Sequence, residues 1–210
     1  FWNILGLYRE ILEGLRRAVE RHGESIVSIG IDTWGCDYGL IAANGELLGM
    51  PHQYRDPRFE GMAEAMHAIM PEAEIYAQTG IKTNFYNSSL HLLAEARGNS
   101  PALANAANLL FVPDLLAYWL TGRQAVERTI ASTSQLLDPS NGDWAWAVID
   151  ALGLPRGIFG EVVAPGTLLG PLRSEVGKFI GRADIPVVAT ACHDTAAAVA
   201  GIPMGGSATL

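Results

Sequence analysis

The sequence has only two cysteines, few positive charges and no long apolar run. Cys36 and Cys192 are too few for the disulfide framework of a small secreted protein. There are 14 Lys and Arg residues against 22 Asp and Glu, and the formal net charge is −8. Without a basic cluster, this composition argues against a nucleic-acid or anionic-membrane partner. No apolar stretch reaches the roughly 18 residues of a transmembrane helix. We therefore expect a reduced, cytoplasmic protein.

Motifs that identify a common enzyme class by themselves are also missing. The sequence contains no Walker loop, no dinucleotide-binding glycine fingerprint after a predicted strand and no Cys/His cluster with zinc-ligand spacing. Neither Ser132 nor Ser134 lies in a nucleophile elbow, so nothing supports acyl-transfer chemistry. The candidate chemistry therefore depends on polar residues that follow two apolar stretches.

The first apolar stretch, residues 26–31, belongs to a chain that is 49% hydrophobic and able to bury a core. Its β-branched residues predict a strand that is buried on both faces, as in a parallel sheet. The polar segment DTWGCD, residues 32–37, follows it directly. Ligands gather at the carboxyl ends of parallel strands, so this segment is a candidate site. A strand end whose aspartate caps a turn and whose tryptophan is core explains the pattern equally well.

The second apolar stretch, residues 185–191, repeats this design. It leads into His193, Asp194 and Thr195 and then into an alanine-rich helix start. The N-terminus of that helix would favour an anion nearby, and a carboxylate at a sheet edge suits a general base that takes a proton from an alcohol. An aspartate that only caps its own helix is the alternative.

The other patterns predict mostly helices around these two strands. A first helix should run over about residues 4–21 and end at Gly23. Asn44-Gly45 between apolar runs predicts a β-hairpin. Residues 60–121 predict a series of short helices that includes PALANAANLL, and residues 174–180 predict a further helix.

Taken in order, the motifs resemble the FGGY carbohydrate kinases, and among them the rhamnulokinases. The stretches that carry this likeness are SIGIDTWGCDYGL (28–40), YRDPR (54–58), TGI (79–81), PDLLAYWLTG (113–122), ASTSQLLDP (131–139), DW (143–144) and IPVVATACHDTAAAV (185–199). They cover essentially the whole chain in one colinear order. DTWG together with HDTA is specific to the sugar-kinase branch.

The resemblance implies an α/β fold, the ribonuclease-H-like domain of the actin and hexokinase type, with a helical insertion over about residues 60–125. The family's first phosphate-binding hairpin would lie before Phe1, and its nucleotide-binding second domain would follow Leu210. Residues 1–210 are therefore expected to be a partial N-terminal sugar-kinase domain that lacks its first strands. Alone, such a chain should show no ADP release in a coupled kinase assay.

The resemblance also implies a reaction and a site. Rhamnulokinases use ATP and Mg²⁺ to phosphorylate the 1-hydroxyl of L-rhamnulose in rhamnose metabolism. The substrate-binding residues it implies are Gly35, His193, Asp194 and Thr195, and Asp194 is also the implied catalytic base. ATP and Mg²⁺ would be bound mainly by parts outside this chain, so no residue here is assigned to them. The expected partner is a small sugar, and nothing in the sequence indicates an oligomeric state.

Three alternatives stay open beside this hypothesis. The first is a sibling FGGY kinase that acts on another ketose or a polyol. The second is a metal-dependent nuclease, since ribonuclease-H-like folds can gather carboxylates such as Asp32, Asp37 and Asp194 around Mg²⁺; the acidic composition argues against it. The third is a non-catalytic sugar-binding remnant.

The resemblance also implies a geometry for the two apolar stretches. In the superfamily it points to, the strands that end at Asp32 and Ala191 are neighbours in one parallel sheet, about 4.8 Å apart. Gly35, which lets a ligand approach its backbone, and Asp194 should then lie on opposite sides of one shallow sugar pocket. The same geometry would bring Cys36 and Cys192 into one neighbourhood, where we expect burial without a disulfide.

Overall fold

The computed structural model describes residues 1–203 of the chain, which form ten α-helices and eight short strands. The helices are α1 (Ile4–His22), α2 (Met62–His67), α3 (Glu72–Thr79), α4 (Ser88–Arg97), α5 (Pro101–Asn105), α6 (Val112–Thr121), α7 (Arg128–Ser132), α8 (Trp146–Ala151), α9 (Ser174–Ile180) and α10 (Asp194–Ala200). The strands are β1 (Tyr38–Ala42), β2 (Ala106–Phe111), β3 (Val126–Glu127), β4 (Leu137–Asp138), β5 (Asp143–Trp144), β6 (Val162–Val163), β7 (Leu168–Pro171) and β8 (Pro186–Val188).

These strands pair two by two within the described range. β1 pairs with β2, β4 with β5 and β7 with β8, all antiparallel, whereas β3 and β6 are parallel. The chain is thus an α/β structure, as predicted.

The two motif segments lie side by side and run parallel, as the resemblance implies. The Ile29 amide donates to the Pro186 carbonyl at 2.9 Å. Further along, the Thr33 amide donates to the Cys192 carbonyl, and the Asp194 amide donates to the Thr33 carbonyl, both at 2.9 Å. The segments 29–33 and 186–194 therefore end at the same edge, which places both polar motifs together.

The prediction that residues 26–31 are buried on both faces is wrong. Ile29 is 8% exposed and packs with Val187 in a core beside α9, but Val27 is 78% exposed. Single bridges, such as the one between Ile29 and Val187, connect this segment to its neighbour in place of a continuous ladder. β-branched residues favour extended backbone whether or not a second layer covers them, so the pattern alone did not report the exposed face.

Two local predictions are confirmed in detail. Helix α1 ends at Gly23, whose φ is +50° and whose amide donates to the Val19 carbonyl. In the hairpin after β1, the Ala42 amide donates to the Glu46 carbonyl at 2.8 Å. Gly45 has a φ of +87°, a backbone conformation that favours glycine.

The helix predicted over PALANAANLL is half wrong. Only residues 101–105 are helical, and the following residues form strand β2 against β1. Leu109, Leu110 and Phe111 are each at most 2% exposed. Burial against β1 thus overrides the helix propensity of the alanines in this stretch. The remaining elements between residues 60 and 125 are helices, and the insertion boundaries stay a prediction.

The main core surrounds helix α6. Eight of its ten residues are buried, and Leu115 and Leu120 are fully enclosed. Each such side chain contributes about 1.5–3 kcal/mol of hydrophobic stabilisation. Among the helices of residues 1–203, none is both long and apolar enough to cross a bilayer.

Gly30 offers a test of the packing between the two motif segments. A Cβ atom at this position would lie 2.2 Å from Cγ2 of Thr190, whose Oγ1 donates to the Ile31 carbonyl at 3.1 Å. We therefore expect Gly30→Ala to lower the free energy of unfolding by about 1–3 kcal/mol, measured by urea denaturation.

Two further variants control this experiment. Thr190→Ser removes the clashing methyl group and keeps the hydroxyl. Added to Gly30→Ala in one protein, it should restore most of the lost stability. Gly14→Ala in α1, where a Cβ atom meets nothing within 4 Å, should stabilise by about 0.5–1 kcal/mol. If Gly30→Ala does not lower the free energy of unfolding relative to wild type, the two segments do not pack as described.

Candidate functional site

A cavity of about 600 Å³ opens beside the ends of the two motif segments. Three of the residues proposed from the sequence, Gly35, His193 and Thr195, line it. Its other walls come from residues 54–55, from the stretch 81–87 and from the end of α7. A smaller cavity of about 150 Å³ beside Tyr38 and His91 contains none of the proposed residues. The larger cavity is therefore the candidate site.

Gly35 lies where the first motif approaches both α7 and the second motif. A Cβ atom there would be 2.9 Å from Cγ2 of Thr133 and 3.3 Å from Nε2 of His193. Any side chain would press on Thr133 and narrow the space in front of His193. The close approach expected of Gly35 is thus built into the structure, while its contact with a sugar stays a prediction.

The turn after Gly35 is held by hydrogen bonds to distant residues. The Cys36 amide donates to Oγ1 of Thr133 at 2.9 Å, and Oγ of Ser88 donates to the Cys36 carbonyl at 2.5 Å. Cys36 has a φ of +74°, which is uncommon for a residue other than glycine. These two long-range bonds hold the strained turn in place. Burial raises the pKa of the Cys36 thiol to about 12, so this sulfur is not a nucleophile near neutral pH.

Asp37 belongs to the structural support of the site. Its carboxylate oxygen Oδ2 accepts hydrogen bonds from Nε1 of Trp2 at 2.6 Å and from Nε1 of Trp34 at 2.8 Å. The side chain is 1% exposed, and burial raises its pKa to about 6 despite the two indole donors. Asp37 therefore anchors Trp34, which lines the cavity.

The acidic residues do not gather into a metal site. Asp37 faces two tryptophans, whereas Asp32 and Asp194 are exposed. Among residues 1–203 no group of three His, Cys, Asp or Glu side chains is placed to hold a metal ion. The nuclease alternative thus loses the carboxylate cluster that motivated it.

The second motif presents His193 to the cavity and Asp194 to its rim. Nε2 of His193 lies 3.4 Å from Oδ1 of Asp194, which also accepts hydrogen bonds from the Thr195 amide at 2.6 Å and hydroxyl at 3.2 Å. The Asp194 side chain is 56% exposed and is not among the lining residues. His193, and not Asp194, therefore stands directly across from Gly35.

The structure also bears on the capping alternative for Asp194. The cap residue of α10 is His193, and no side chain makes a capping hydrogen bond there. Asp194 is the first helical residue, and its carboxylate bonds the residue directly after it. The carboxylate is therefore not committed to a conventional helix cap.

The two cysteines lie at the two ends of the five-residue helix α7. Cys36 contacts Thr133, just after the helix, and the Cys192 amide donates to Glu127, just before it. Both thiols are buried and free, as expected. Burial also raises the pKa of Cys192 to about 12.

An aromatic wall was missed by the sequence-based assignment. The rings of Tyr54 and Phe85 are 6.4 Å apart, those of Phe85 and Tyr86 are 5.1 Å apart, and all three residues line the cavity. Asn87, whose Nδ2 donates to the Thr133 carbonyl at 3.0 Å, ties this wall to α7. Phe85 is 61% exposed, and exposed aromatics beside a polar pocket are the signal that would have identified it.

The raised pKa of Asp37 predicts a pH-dependent stability. The folded state keeps the proton up to a pH of about 6, while the unfolded chain loses it near the ordinary value of 3.8. The unfolded state then binds fewer protons over this window, so folded stability falls as the pH rises from about 4 to 6. The loss amounts to about 3 kcal/mol, at 1.36 kcal/mol for each unit of pKa.

Asp37→Asn removes this titration and serves as the reference. In urea denaturation at several values between pH 4 and 7.5, the wild-type free energy of unfolding should fall relative to that of Asp37→Asn, and the difference should level off above about pH 7. Parallel pH profiles for the two proteins would contradict the assignment.

Comparisons with known proteins identify the family of the chain. The family profile described as "FGGY family of carbohydrate kinases, N-terminal domain" matches residues 2–201. The chain is 44% identical to a rhamnulokinase from Bacteroides thetaiotaomicron, covering 97% of this chain and 42% of that protein. It is 38% identical to a rhamnulokinase from Pectobacterium atrosepticum, covering 97% and 40%. The chain thus spans about two fifths of the length of these curated relatives.

Solved structures show the same fold. A gluconate kinase from Lactobacillus acidophilus superposes with a TM-score of 0.82 at 15% identity, covering 89% of this chain and 38% of that one. A carbohydrate kinase from Novosphingobium aromaticivorans gives 0.79 at 23% identity, covering 94% and 42%. These likenesses confirm the predicted ribonuclease-H-like α/β fold. With the profile match over nearly all of its residues, the chain belongs to the FGGY family of carbohydrate kinases, in the region of their N-terminal domain.

Proposed function

We propose that this chain is the sugar-binding part of a kinase that transfers the γ-phosphoryl group of ATP to the 1-hydroxyl of L-rhamnulose. The observation that carries the proposal is the cavity in which Gly35, His193 and Thr195 meet. Its volume of about 600 Å³ lies within the range of small-molecule sites, about 300–1,000 Å³. The rhamnulokinases among its relatives support the choice of sugar.

The cavity offers both kinds of contact that a sugar needs. His193 and Thr195 supply groups that hydrogen-bond hydroxyls, and Gly35 leaves room for a hydroxyl to approach the backbone. Tyr54, Phe85 and Tyr86 supply an apolar wall for the carbon skeleton. This combination suits a small sugar better than an extended polymeric ligand.

Asp194 is the proposed catalytic base. Its carboxylate takes the proton of the 1-hydroxyl as that oxygen forms a bond to the γ-phosphorus, and the bond from phosphorus to the bridging oxygen of ADP breaks. The exposed position of Asp194 at the rim, beside His193, suits an encounter with a nucleotide that approaches from outside the cavity. Closure of a second domain over the cleft would exclude water from the transfer.

Mg²⁺ would neutralise charge on the transferring phosphoryl group when it arrives with ATP. Among the described residues no acidic cluster is placed to hold it. The contribution of this chain is therefore to bind and orient the sugar and to accept its proton. An ATP-consuming sugar kinase of this kind would work in the cytoplasm.

Gly35→Ala tests sugar binding in the chain itself. We expect L-rhamnulose to bind the wild-type chain in isothermal titration calorimetry and Gly35→Ala to weaken it at least 10-fold, or about 1.4 kcal/mol, because the added methyl group fills the space before His193. Gly157→Ala, where a Cβ atom meets nothing within 4 Å, should bind like wild type. Equal affinities for the two variants would place the sugar elsewhere.

Asp194→Asn tests the base in the longer kinase. The amide cannot accept the proton, so turnover of L-rhamnulose should fall by about 10²- to 10⁴-fold in a coupled ADP-release assay, with unchanged thermal unfolding. Asp150→Asn, whose carboxylate has a similar exposure of 49%, should keep wild-type turnover.

Activity of Asp194→Asn within a few-fold of wild type would show that the base is another group. A panel of ketoses and polyols on the wild-type kinase separates the sibling-kinase alternative, since another sugar would then give the highest kcat/KM. Binding of L-rhamnulose without turnover of any sugar in the longer protein would indicate the non-catalytic remnant.

A further inference from the structure

Glu127 is a buried acidic residue whose hydrogen bonds reach beyond its own helix. It is fully buried and stands directly before α7, where its carboxylate accepts the Thr129 amide at 2.8 Å and the Ile130 amide at 3.2 Å. These two bonds cap the helix. Capping alone needs only a shorter side chain, since Ser, Thr, Asp and Asn are the usual cap residues.

The same carboxylate also holds the second motif. Its Oε2 atom accepts the amide of Cys192 at 3.0 Å, across 65 positions of sequence. Oγ1 of Thr129 donates to Oε2 of Glu127 and accepts the amide of His193 at 3.2 Å. Glu127 and Thr129 thus form a joined pair that binds the amides of two consecutive residues directly before Asp194.

The third consecutive amide is held from the other side. The Asp194 amide donates to the carbonyl of Thr33 in the first motif. The backbone of residues 192–194 is therefore fixed at every N–H group, twice by the Glu127–Thr129 pair and once by the first motif. Rotation of this backbone would move the His193 ring away from Gly35 and the carboxylate away from the rim.

The surroundings of Glu127 favour this use of its carboxylate. Oδ1 of the neighbouring Asp114 accepts the Glu127 amide at 3.1 Å. Burial raises the pKa of Asp114 well above its ordinary value. The Glu127 carboxylate accepts four hydrogen bonds in all, from the amides of Thr129, Ile130 and Cys192 and from the Thr129 hydroxyl.

We infer that Glu127 and Thr129 are positioning residues, which hold the backbone of residues 192–194 so that His193 faces Gly35 and Asp194 stands at the rim of the sugar cavity. This inference deepens the proposed function and rests on it, because phosphoryl transfer to L-rhamnulose is one of its two readouts. Neither residue is among those that line the cavity, so both act through the second motif.

Thr129 is the better residue to change, because removing Glu127 would uncap α7 and endanger folding. Thr129→Val keeps the shape of the side chain and removes the acceptor for the His193 amide. Thr129→Ser keeps the hydroxyl. Thr121→Val in α6 is the matched control, since Oγ1 of Thr121 accepts the Arg123 amide at 3.1 Å, far along the chain from the second motif.

The first readout is turnover by the longer kinase with L-rhamnulose and ATP, well below the unfolding temperature of each variant. We expect Thr129→Val to lower kcat by about 10- to 100-fold with the KM for ATP unchanged, as a displaced catalytic group does. Thr129→Ser and Thr121→Val should stay within about 3-fold of wild type. Wild-type kcat in Thr129→Val, or an equal loss in Thr129→Ser, would overturn the inference.

The second readout does not depend on the reaction. Amide hydrogen exchange of Cys192 and His193 in the present chain should be at least about 10-fold faster in Thr129→Val than in wild type or Thr121→Val. If the wild-type kinase does not phosphorylate L-rhamnulose, the proposed function fails. Faster exchange in Thr129→Val would still show that Thr129 holds the backbone of the second motif. Unchanged exchange in Thr129→Val would overturn the positioning role of Thr129, whatever the substrate of the kinase.

Discussion

The parallel contact between segments 29–33 and 186–194 is the constraint on which the rest of the structure depends. Its backbone hydrogen bonds bring together two motifs that are about 160 positions apart in the sequence. Gly35 and His193 come within contact distance only because both segments end at the same edge. The large cavity, its aromatic wall and the rim that carries Asp194 are all arranged around this shared end.

Helix α7 has only five residues, yet it stabilises the contact between the two motif segments. At the start of α7, Glu127 and Thr129 bind the backbone of the second motif. At the end of α7, Thr133 binds the amide of Cys36 in the first motif. One short helix thus connects both motifs and also holds Asn87 at the base of the aromatic wall. Such an arrangement couples the two sides of the cavity through hydrogen bonds and not through apolar packing alone.

Sequence patterns were sufficient where the deciding interactions are local or repeated along the chain. They predicted α1 with its end at Gly23, the hairpin at Gly45 and helix α9. The resemblance supplied the fold, the adjacency of the two motif segments and three of the residues that line the cavity, Gly35, His193 and Thr195. The exposure of Val27, strand β2 in an alanine-rich stretch and the roles of Thr133 and Glu127 depend on partners distant in sequence, which no local pattern records. The position of Asp194 at the rim, beside His193, likewise depends on partners that are distant in the sequence.

The raised pKa values of Cys36 and Cys192 have a consequence for the environment in which the fold can operate. Oxidants and alkylating reagents attack the thiolate, and both sulfurs are buried thiols whose pKa lies near 12. Cys36 lines the large cavity and Cys192 directly precedes His193, which also lines it, so a modification of either thiol would add bulk beside that cavity. Protonation and burial together remove that route of damage. The thiols beside the two turns should therefore react slowly with oxidants and alkylating reagents, which helps the cavity keep its shape.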